Sequence, residues 1–277
     1  MRKTLKSFAA VCFAALTLTA CQKNTKEVAR EDISQSTLTQ IQKLGFSSDG
    51  VTRVSGGYLV EGDILLSESD LNAQISSPNM IIANEEQYRT FNLVSPTKHA
   101  TIKVALNNSS TQHEAAFSAS LDEAIRRYNA ENLTIKFARV STSQSPDITV
   151  VAFYEVRNTL GSSGFPNTAG DPYNTVNMNT YWYSTGTDAT NVNYIGTIMA
   201  HEIGHTIGFR HTDYANRAYS CGGRKSNEGQ ANNGVGAVYI PGTATGGDPN
   251  SWMLACVGSN VNRPFNTNDK KALAYVY

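Results

Sequence analysis

The feature that most constrains this chain is the run H-E-I-G-H-T-I-G-F-R-H at residues 201–211. His201 and His205 are four positions apart. Residues at this spacing project from the same face of an α-helix, because each residue turns the helix by about 100°. Both imidazoles can then reach one Zn²⁺ ion at about 2.0–2.1 Å. The sequence therefore predicts a helix that carries two ligands of a single metal ion.

The second half of the run predicts a third ligand. Gly208 has no Cβ atom, so the chain can leave the helix through a left-handed conformation. His211 then approaches the metal from a new direction. Three protein ligands and one open position are typical of catalytic zinc, since structural zinc sites have four protein ligands. Glu202 is predicted to lie beside the metal, where it can take a proton from a zinc-bound water.

The opposite face of this helix is predicted to pack into a core. Its apolar residues recur every four positions, on the far side from the two histidines: Ile195, Met199, Ile203 and Ile207. Two other interpretations are a pair of hydrogen-bonded core histidines and a zinc site without catalysis. The fixed offsets of Gly208 and His211 argue against the first, and the presence of Glu202 argues against the second.

The signature H-E-x-x-H-x-x-G-x-x-H resembles that of the metzincin clan of zinc endopeptidases. Its H-E-I-G-H form resembles the dual-action HEIGH metallopeptidase family, and the segments at 58–64 and 87–90 support this narrower likeness. The specificity of the resemblance is concentrated in residues 201–211. It implies a zinc-dependent endopeptidase that hydrolyses extended protein or peptide substrates, with Glu202 as the general base.

The resemblance also assigns roles outside the motif. Met253 is the candidate for the methionine turn beneath the metal, where a flexible thioether can form an apolar floor. Some metzincins have a tyrosine two positions later that assists the oxyanion, but this chain has Ala255. Asp213 is a candidate acceptor for an imidazole N–H of the metal site, and the alternative is a solvated turn residue.

The predicted fold class is α/β (α+β), with a metzincin-like catalytic domain at residues 98–277. This domain should contain a twisted mixed sheet, a backing helix, the zinc-binding helix, the methionine turn and a C-terminal helix. The patterns predict strands at 102–106, 133–137 and 148–154, helices at 117–128 and 267–276, and an edge strand along the cleft at 174–183. An edge strand beside a metal could pair with an extended peptide.

The amino terminus has the pattern of an exported bacterial lipoprotein. Residues 1–20 combine basic residues with a short apolar run, as in a secretory signal, and the segment ending at Cys21 resembles a lipobox. Lipidated Cys21 would anchor the chain to a membrane of the cell envelope, and residues 21–30 would form a flexible tether. The alternative is a soluble secreted protein in which Cys21 is incidental.

Residues 31–97 are predicted to form a small N-terminal unit. Apolar spacing indicates a helix near 33–44, followed by a strand-like run at 57–66. The unit could be a propeptide-like lid or a fixed support for the catalytic domain. It contains no cysteine, so a cysteine switch is excluded, whereas a carboxylate such as that of Asp63 could cap the zinc.

Cys221 and Cys256 are the two cysteines left after the signal segment and the lipidation site. In an exported protein they are predicted to form a disulfide, and two free thiols are the alternative. Polar loops near 158–174 and 219–250 could bind Ca²⁺, although they contain no D-x-D-x-D-G pattern. We expect the 219–250 loop to form the specificity pocket.

Charge and composition narrow the choice of partners. The chain has 23 basic and 23 acidic residues and no basic stripe, so no nucleic-acid partner is expected. We expect a monomer that contacts the membrane only through its lipid. The competing functional hypothesis is a catalytically silent, metzincin-like surface lipoprotein that binds a protein without cutting it. A zinc amidase acting on peptidoglycan is a third, more distant hypothesis.

Overall fold

The computed structural model describes residues 33–72, 87–107, 112–225, 228 and 235–277. The predicted signal segment 1–20, Cys21 and the tether 21–30 lie outside the described residues. Residues 32–277 form one compact unit. Within the described ranges, no helix is both long enough and apolar enough to cross a membrane.

The chain folds into an α/β structure, which confirms the predicted fold class. Its helices are α1 (Gln35–Lys43), α2 (Glu68–Leu71), α3 (Glu114–Ala130), α4 (Ala189–Thr206), α5 (Ala218–Cys221) and α6 (Thr267–Val276). Its strands are β1 (Thr52–Val54), β2 (Gly57–Val60), β3 (Ile64–Leu66), β4 (Tyr88–Arg89), β5 (Thr101–Asn107), β6 (Lys136–Val140), β7 (Ile148–Phe153), β8 (Gly161–Ser162), β9 (Thr175–Asn179) and β10 (Val238–Tyr239).

The central sheet has five strands in the order β6-β5-β7-β9-β8. The first four strands are parallel and β8 is antiparallel to β9. Helix α3 packs against α4, β5 and β6. Gly196 allows α3 and α4 to approach closely, because a Cβ there would lie 3.3 Å from the carbonyl oxygen of Ser120. This packing fixes α4 against the sheet, and another face of the helix carries His201 and His205.

The edge strand of this sheet differs from the prediction. We predicted the edge at 174–183, but β9 occupies 175–179 and is flanked by β7 on one side and β8 on the other. Gly161 pairs with Met178, so β8 is the edge strand beside α4. The sequence does not reveal β8, because two small residues carry no alternating apolar pattern and resemble a loop.

The N-terminal unit contains α1, α2 and the antiparallel sheet β1-β2-β3. Ser34 caps α1 by accepting a hydrogen bond from the N–H of Thr37. The strand-like run at 57–66 is a hairpin, β2–β3, with Glu61 and Gly62 at positive φ in its turn. The unit has its own apolar core, which includes Ile41, Phe46, Val60, Ile64 and Leu66. The hairpin turn presents Asp63 to the catalytic half of the chain.

Candidate metal centre and active site

The ligand histidines are positioned by α4 and by the turn that ends it. Asp188 caps α4 by accepting a hydrogen bond from the N–H of Asn191. Gly208 has a φ of +108°, so the predicted left-handed exit from the helix is present. A Cβ at Gly208 would lie 2.8 Å from Leu93 Cδ2, so the turn also requires glycine for close packing. The turn brings His211 back to the helix.

The three histidines converge through their Nε2 atoms. His205 Nε2 lies 3.1 Å from His201 Nε2 and 3.2 Å from His211 Nε2. For tetrahedral zinc with Zn–N distances of about 2.0–2.1 Å, neighbouring ligand nitrogens should be about 3.3–3.4 Å apart. All three histidines are buried. The spacing therefore fits one shared metal ion.

Hydrogen bonds on the far side of two imidazoles set their tautomers. His201 Nδ1 lies 2.9 Å from the carbonyl oxygen of Trp252, and His205 Nδ1 lies 2.8 Å from that of Phe209. A carbonyl only accepts, so each Nδ1 carries the proton and each Nε2 keeps a lone pair for the metal. Burial and the neighbouring histidines lower the pKa of His205. The neutral imidazole that a metal requires is thus favoured there.

Glu228 orients the third histidine, and sequence reasoning missed it. Its Oε1 accepts a hydrogen bond from His211 Nδ1 at 2.6 Å and is paired with Arg217. Burial raises the pKa of Glu228, but the charges of His211, Arg217 and Arg210 outweigh burial and lower it to about 2. The residue is therefore a carboxylate. Glu228 stands in a polar loop outside any motif, so the sequence contains no signal for it.

Asp63 joins the three histidines. Its Oδ2 lies 2.9 Å from His211 Nε2 and 3.5 Å from His201 Nε2. Asp63 and the three histidines together form a group of potential metal ligands. The other oxygen, Oδ1, is buried and has no hydrogen-bond partner among the described residues. The hairpin turn thus places a carboxylate oxygen where it could serve as a fourth ligand of a bound metal.

Glu202 lies in the same pocket as His201 and Asp63. Ser163 Oγ donates a hydrogen bond to Glu202 Oε2 at 2.9 Å. A Cβ at Gly161 would lie 2.9 Å from Glu202 Oε1, so the edge strand leaves room for this carboxylate. Burial and the nearby charge of Asp63 raise the pKa of Glu202 well above its ordinary value. The hydrogen bond from Ser163 thus positions the carboxylate of Glu202, and its surroundings favour uptake of a proton.

Met253 lies beneath the histidines. A Cβ on Gly204, which lies between His201 and His205 in the helix, would be 2.7 Å from Met253 Sδ. Met253 is fully buried. Asp269 holds the preceding residue in place by accepting a hydrogen bond from the N–H of Trp252. Met253 thus packs against the helix between two of the histidines, and its role as the methionine turn stays a prediction.

Asp213 has other partners than the imidazoles. Its Oδ1 accepts from the N–H of Ala255 at 2.9 Å, and its Oδ2 accepts from Ser220 Oγ at 2.6 Å. Cys221 and Cys256 form a disulfide, as the sequence predicts. These contacts connect the chain after the third histidine to the chain after Met253. Asp213 therefore supports the floor of the site.

A second group of potential metal ligands consists of Glu61, His211 and Glu228. It shares His211 with the first group, and Glu61 forms a buried ion pair with Arg210, with Nη2–Oε2 at 3.0 Å. Both groups of this kind in the described part of the chain therefore contain His211. Among the described residues, no further group is found for the Ca²⁺ that the polar loops could bind.

Comparison with known protein families identifies the family of this chain. The dual-action HEIGH metallopeptidase family matches residues 59–277, well over half of the chain. Among solved structures, myroilysin matches with 22% identity and a TM-score of 0.39, over 64% of this chain and 92% of that one. The comparison with curated proteins finds no match. Because the family match spans the hairpin, the histidines and the C-terminal helix, the chain belongs to the dual-action HEIGH metallopeptidase family.

Proposed function

We propose that this metallopeptidase is a zinc-dependent endopeptidase of the metzincin type, with His201, His205 and His211 as its metal ligands. The observation that carries the proposal is the convergence of the three Nε2 atoms, together with the pocket that His201 and Glu202 both line. Imidazole and carboxylate ligands in a tetrahedral arrangement suit zinc. When bound, zinc supplies a Lewis acid that polarises the scissile carbonyl and makes a water more acidic.

Glu202 is the general base in this mechanism. Its carboxylate takes a proton from the attacking water and later delivers that proton to the nitrogen of the leaving amine. The hydrogen bond from Ser163 leaves Glu202 Oε1 available for this transfer while it fixes Oε2. Burial excludes bulk water from the carboxylate, which keeps the proton in the site.

The edge of the sheet supports an extended peptide as substrate. Ser163, which follows β8, donates its N–H to the carbonyl of Asp63 at 2.9 Å and accepts from the N–H of Leu65 at 2.7 Å. The hairpin residues 63–65 therefore already pair with the end of β8, next to the candidate metal ligands. Pairing through the main chain does not depend on side-chain identity, which suits an endopeptidase.

The same contacts favour a propeptide-like role for the N-terminal unit. With zinc bound, Asp63 would take a coordination position that water and substrate need, and residues 63–65 occupy the edge that a substrate would use. The buried ion pair between Glu61 and Arg210 holds the hairpin turn in place. We infer that the chain folds as a latent precursor, and that withdrawal of the hairpin opens the active site.

A proteome-derived peptide library provides the test. The full chain, Asp63→Ala, Glu202→Ala and the double variant would be compared by mass-spectrometric profiling, with zinc content measured in parallel. We expect the Asp63→Ala variant to cleave, and both variants without Glu202 to retain zinc but not to cleave. Cleavage by the double variant would remove Glu202 from the role of general base.

The competing function is a protein-binding lipoprotein with a silent metal site. The four-ligand arrangement that includes Asp63 favours it, because structural zinc sites are closed in this way. Failure of the Asp63→Ala variant to cleave any peptide, with zinc bound, would support this alternative.

Export and lipidation of Cys21 form a separate proposal. It is motivated by the basic and apolar residues of 1–20 and by the lipobox-like segment ending at Cys21. Metabolic labelling with a radioactive fatty acid should label the wild-type chain and not Cys21→Ser. Equal labelling of both chains would exclude Cys21 as the lipidated residue.

A further inference from the structure

Beside the catalytic residues the structure contains a cavity of about 270 Å³. It lies between α4 and the chain that follows Met253, and His201 and Glu202 belong to its lining. Further lining residues include Tyr194, Thr197, Ile198, Leu254, Val257 and Arg263. A cavity that shares its wall with the metal ligand and the general base can accept a substrate side chain that flanks the scissile bond.

The backbone of Arg263 is held against α4. Its backbone N–H donates to Thr197 Oγ1 at 3.0 Å. Thr197 precedes His201 by four residues, which at 1.5 Å per residue is about 6 Å along the helix. The backbone of Arg263 is thus held about one helical turn from the first metal ligand, within reach of a side chain that enters beside the metal.

The guanidinium of Arg263 pairs with no carboxylate among the described residues. Its one hydrogen bond there goes from Nη1 to the carbonyl oxygen of Cys256, at 3.3 Å. The other arginine of the lining, Arg217, instead forms an ion pair with Glu228 and donates a hydrogen bond to the carbonyl of Glu61. A guanidinium has five N–H donors and remains charged in proteins. Arg263 therefore has donors available for an anion.

The lining of the cavity includes the apolar side chains of Ile198, Leu254 and Val257, and its two carboxylates, Asp63 and Glu202, belong to the metal centre. Burial lowers the pKa of Arg263, and the charges of Asp269, Asp213 and Asp248 act against this shift without ion-pairing with the guanidinium. An apolar substrate side chain would cover the guanidinium without pairing with it, and a lysine would be repelled. A carboxylate would accept charge-assisted hydrogen bonds from it.

We propose that Arg263 makes this enzyme select an aspartate or glutamate that flanks the scissile bond. The inference rests on the proposed function and names its substrate class. Substrate selection would then depend on the chain after Met253 as well as on the loop at 219–250. From the strength of a hydrogen bond to a charged group, glutamate should be preferred over glutamine by about 10- to 100-fold in kcat/KM.

The test uses peptides that differ only at the selected position, with Glu, Gln, Leu or Lys. The library profile first locates that position, and all proteins carry Asp63→Ala, which removes the carboxylate beside the histidines. Arg263→Met removes the charge but keeps the long side chain and the backbone hydrogen bond to Thr197. We expect it to lose the preference for Glu over Gln while still cleaving the Leu peptide. Arg263→Glu should favour the Lys peptide.

The outcomes separate this inference from the proposed function. An unchanged ratio of Glu to Gln cleavage in Arg263→Met, with the Leu peptide still cleaved, would overturn the role of Arg263 and leave the endopeptidase intact. A parent protein that cleaves but does not prefer acidic residues would also overturn it. If neither the parent nor any variant cleaved a peptide although zinc was bound, the proposed function would be overturned and the inference with it.

Discussion

At the scale of single residues, the convergence of the three motif histidines was predictable, Asp63 was predictable only as a possible cap of the metal, and Glu228 was not predictable. Two ligands lie four positions apart on a helix, and the third follows a glycine at a fixed offset, so local geometry predicts all three. Glu228 and Asp63 reach the same histidine from positions 17 residues after it and 148 residues before it in the chain. Contacts at such separations depend on the tertiary fold and leave no local pattern.

Replacement of Glu228 tests how much the site depends on such a contact. Glu228→Gln keeps an acceptor for His211 Nδ1 but removes the charge that the imidazole and Arg217 face. We expect zinc affinity to fall about 10- to 100-fold, as is usual when the partner of a metal-bound histidine is lost. Competition with a chromophoric chelator measures this affinity directly.

Asp213→Asn serves as the matched control. Asp213 was the candidate partner of an imidazole, but it bonds to Ala255 and Ser220. We therefore expect a smaller effect on zinc affinity from this variant than from Glu228→Gln. A larger loss from Asp213→Asn would show that the floor of the site matters more to metal binding than the carboxylate behind His211.

At the scale of elements, the sequence predicts α4 better than the strands around it. The helix has a capping residue, an apolar stripe and a glycine at its end, each of which is a local signal. The edge strand β8 consists of a glycine and a serine, and only its pairing with β9 makes it a strand. Sheet edges made of small residues are therefore hard to recognise before the fold is known.

Gly204 connects the helix to the floor of the site and yields a prediction for α4. A Cβ there would lie 2.5 Å from the ring of Trp252 and 2.7 Å from Met253 Sδ. Alanine should raise helix propensity by up to about 1 kcal/mol. We expect overpacking to outweigh this gain, so that Gly204→Ala lowers the free energy of unfolding by about 1–3 kcal/mol.

Urea unfolding of the metal-free protein measures this change without a contribution from zinc binding. Gly196→Ala is the control on the same helix, because its Cβ would meet Glu123 Cγ at 3.2 Å and Ser120 O at 3.3 Å, which small shifts can relieve. We expect Gly196→Ala to be the milder change. Equal destabilisation by the two variants would mean that Trp252 and Met253 can move away from α4.

At the scale of the whole molecule, the N-terminal unit contacts the candidate metal centre directly through its β2–β3 hairpin. The hairpin supplies Asp63 to the histidines, Glu61 to Arg210 and a main-chain partner to Ser163. The sequence suggested that a carboxylate could cap the metal, but not that the same hairpin also covers the sheet edge. The pairing of the hairpin with the sheet edge depends on β8, and the sequence does not reveal this strand.

This arrangement predicts how the unmodified chain holds its metal. With Asp63 as a fourth ligand, zinc should leave slowly, whereas Asp63→Asn should release zinc to a chelator faster and at the same time gain peptidase activity. Asp49→Asn, an exposed change in the same unit, should alter neither property. Stopped-flow chelation and a quenched fluorescent peptide measure the two rates on the same samples. Faster zinc release without a gain in activity would indicate that Asp63 stabilises the metal site without blocking it, and the N-terminal unit would then be a support.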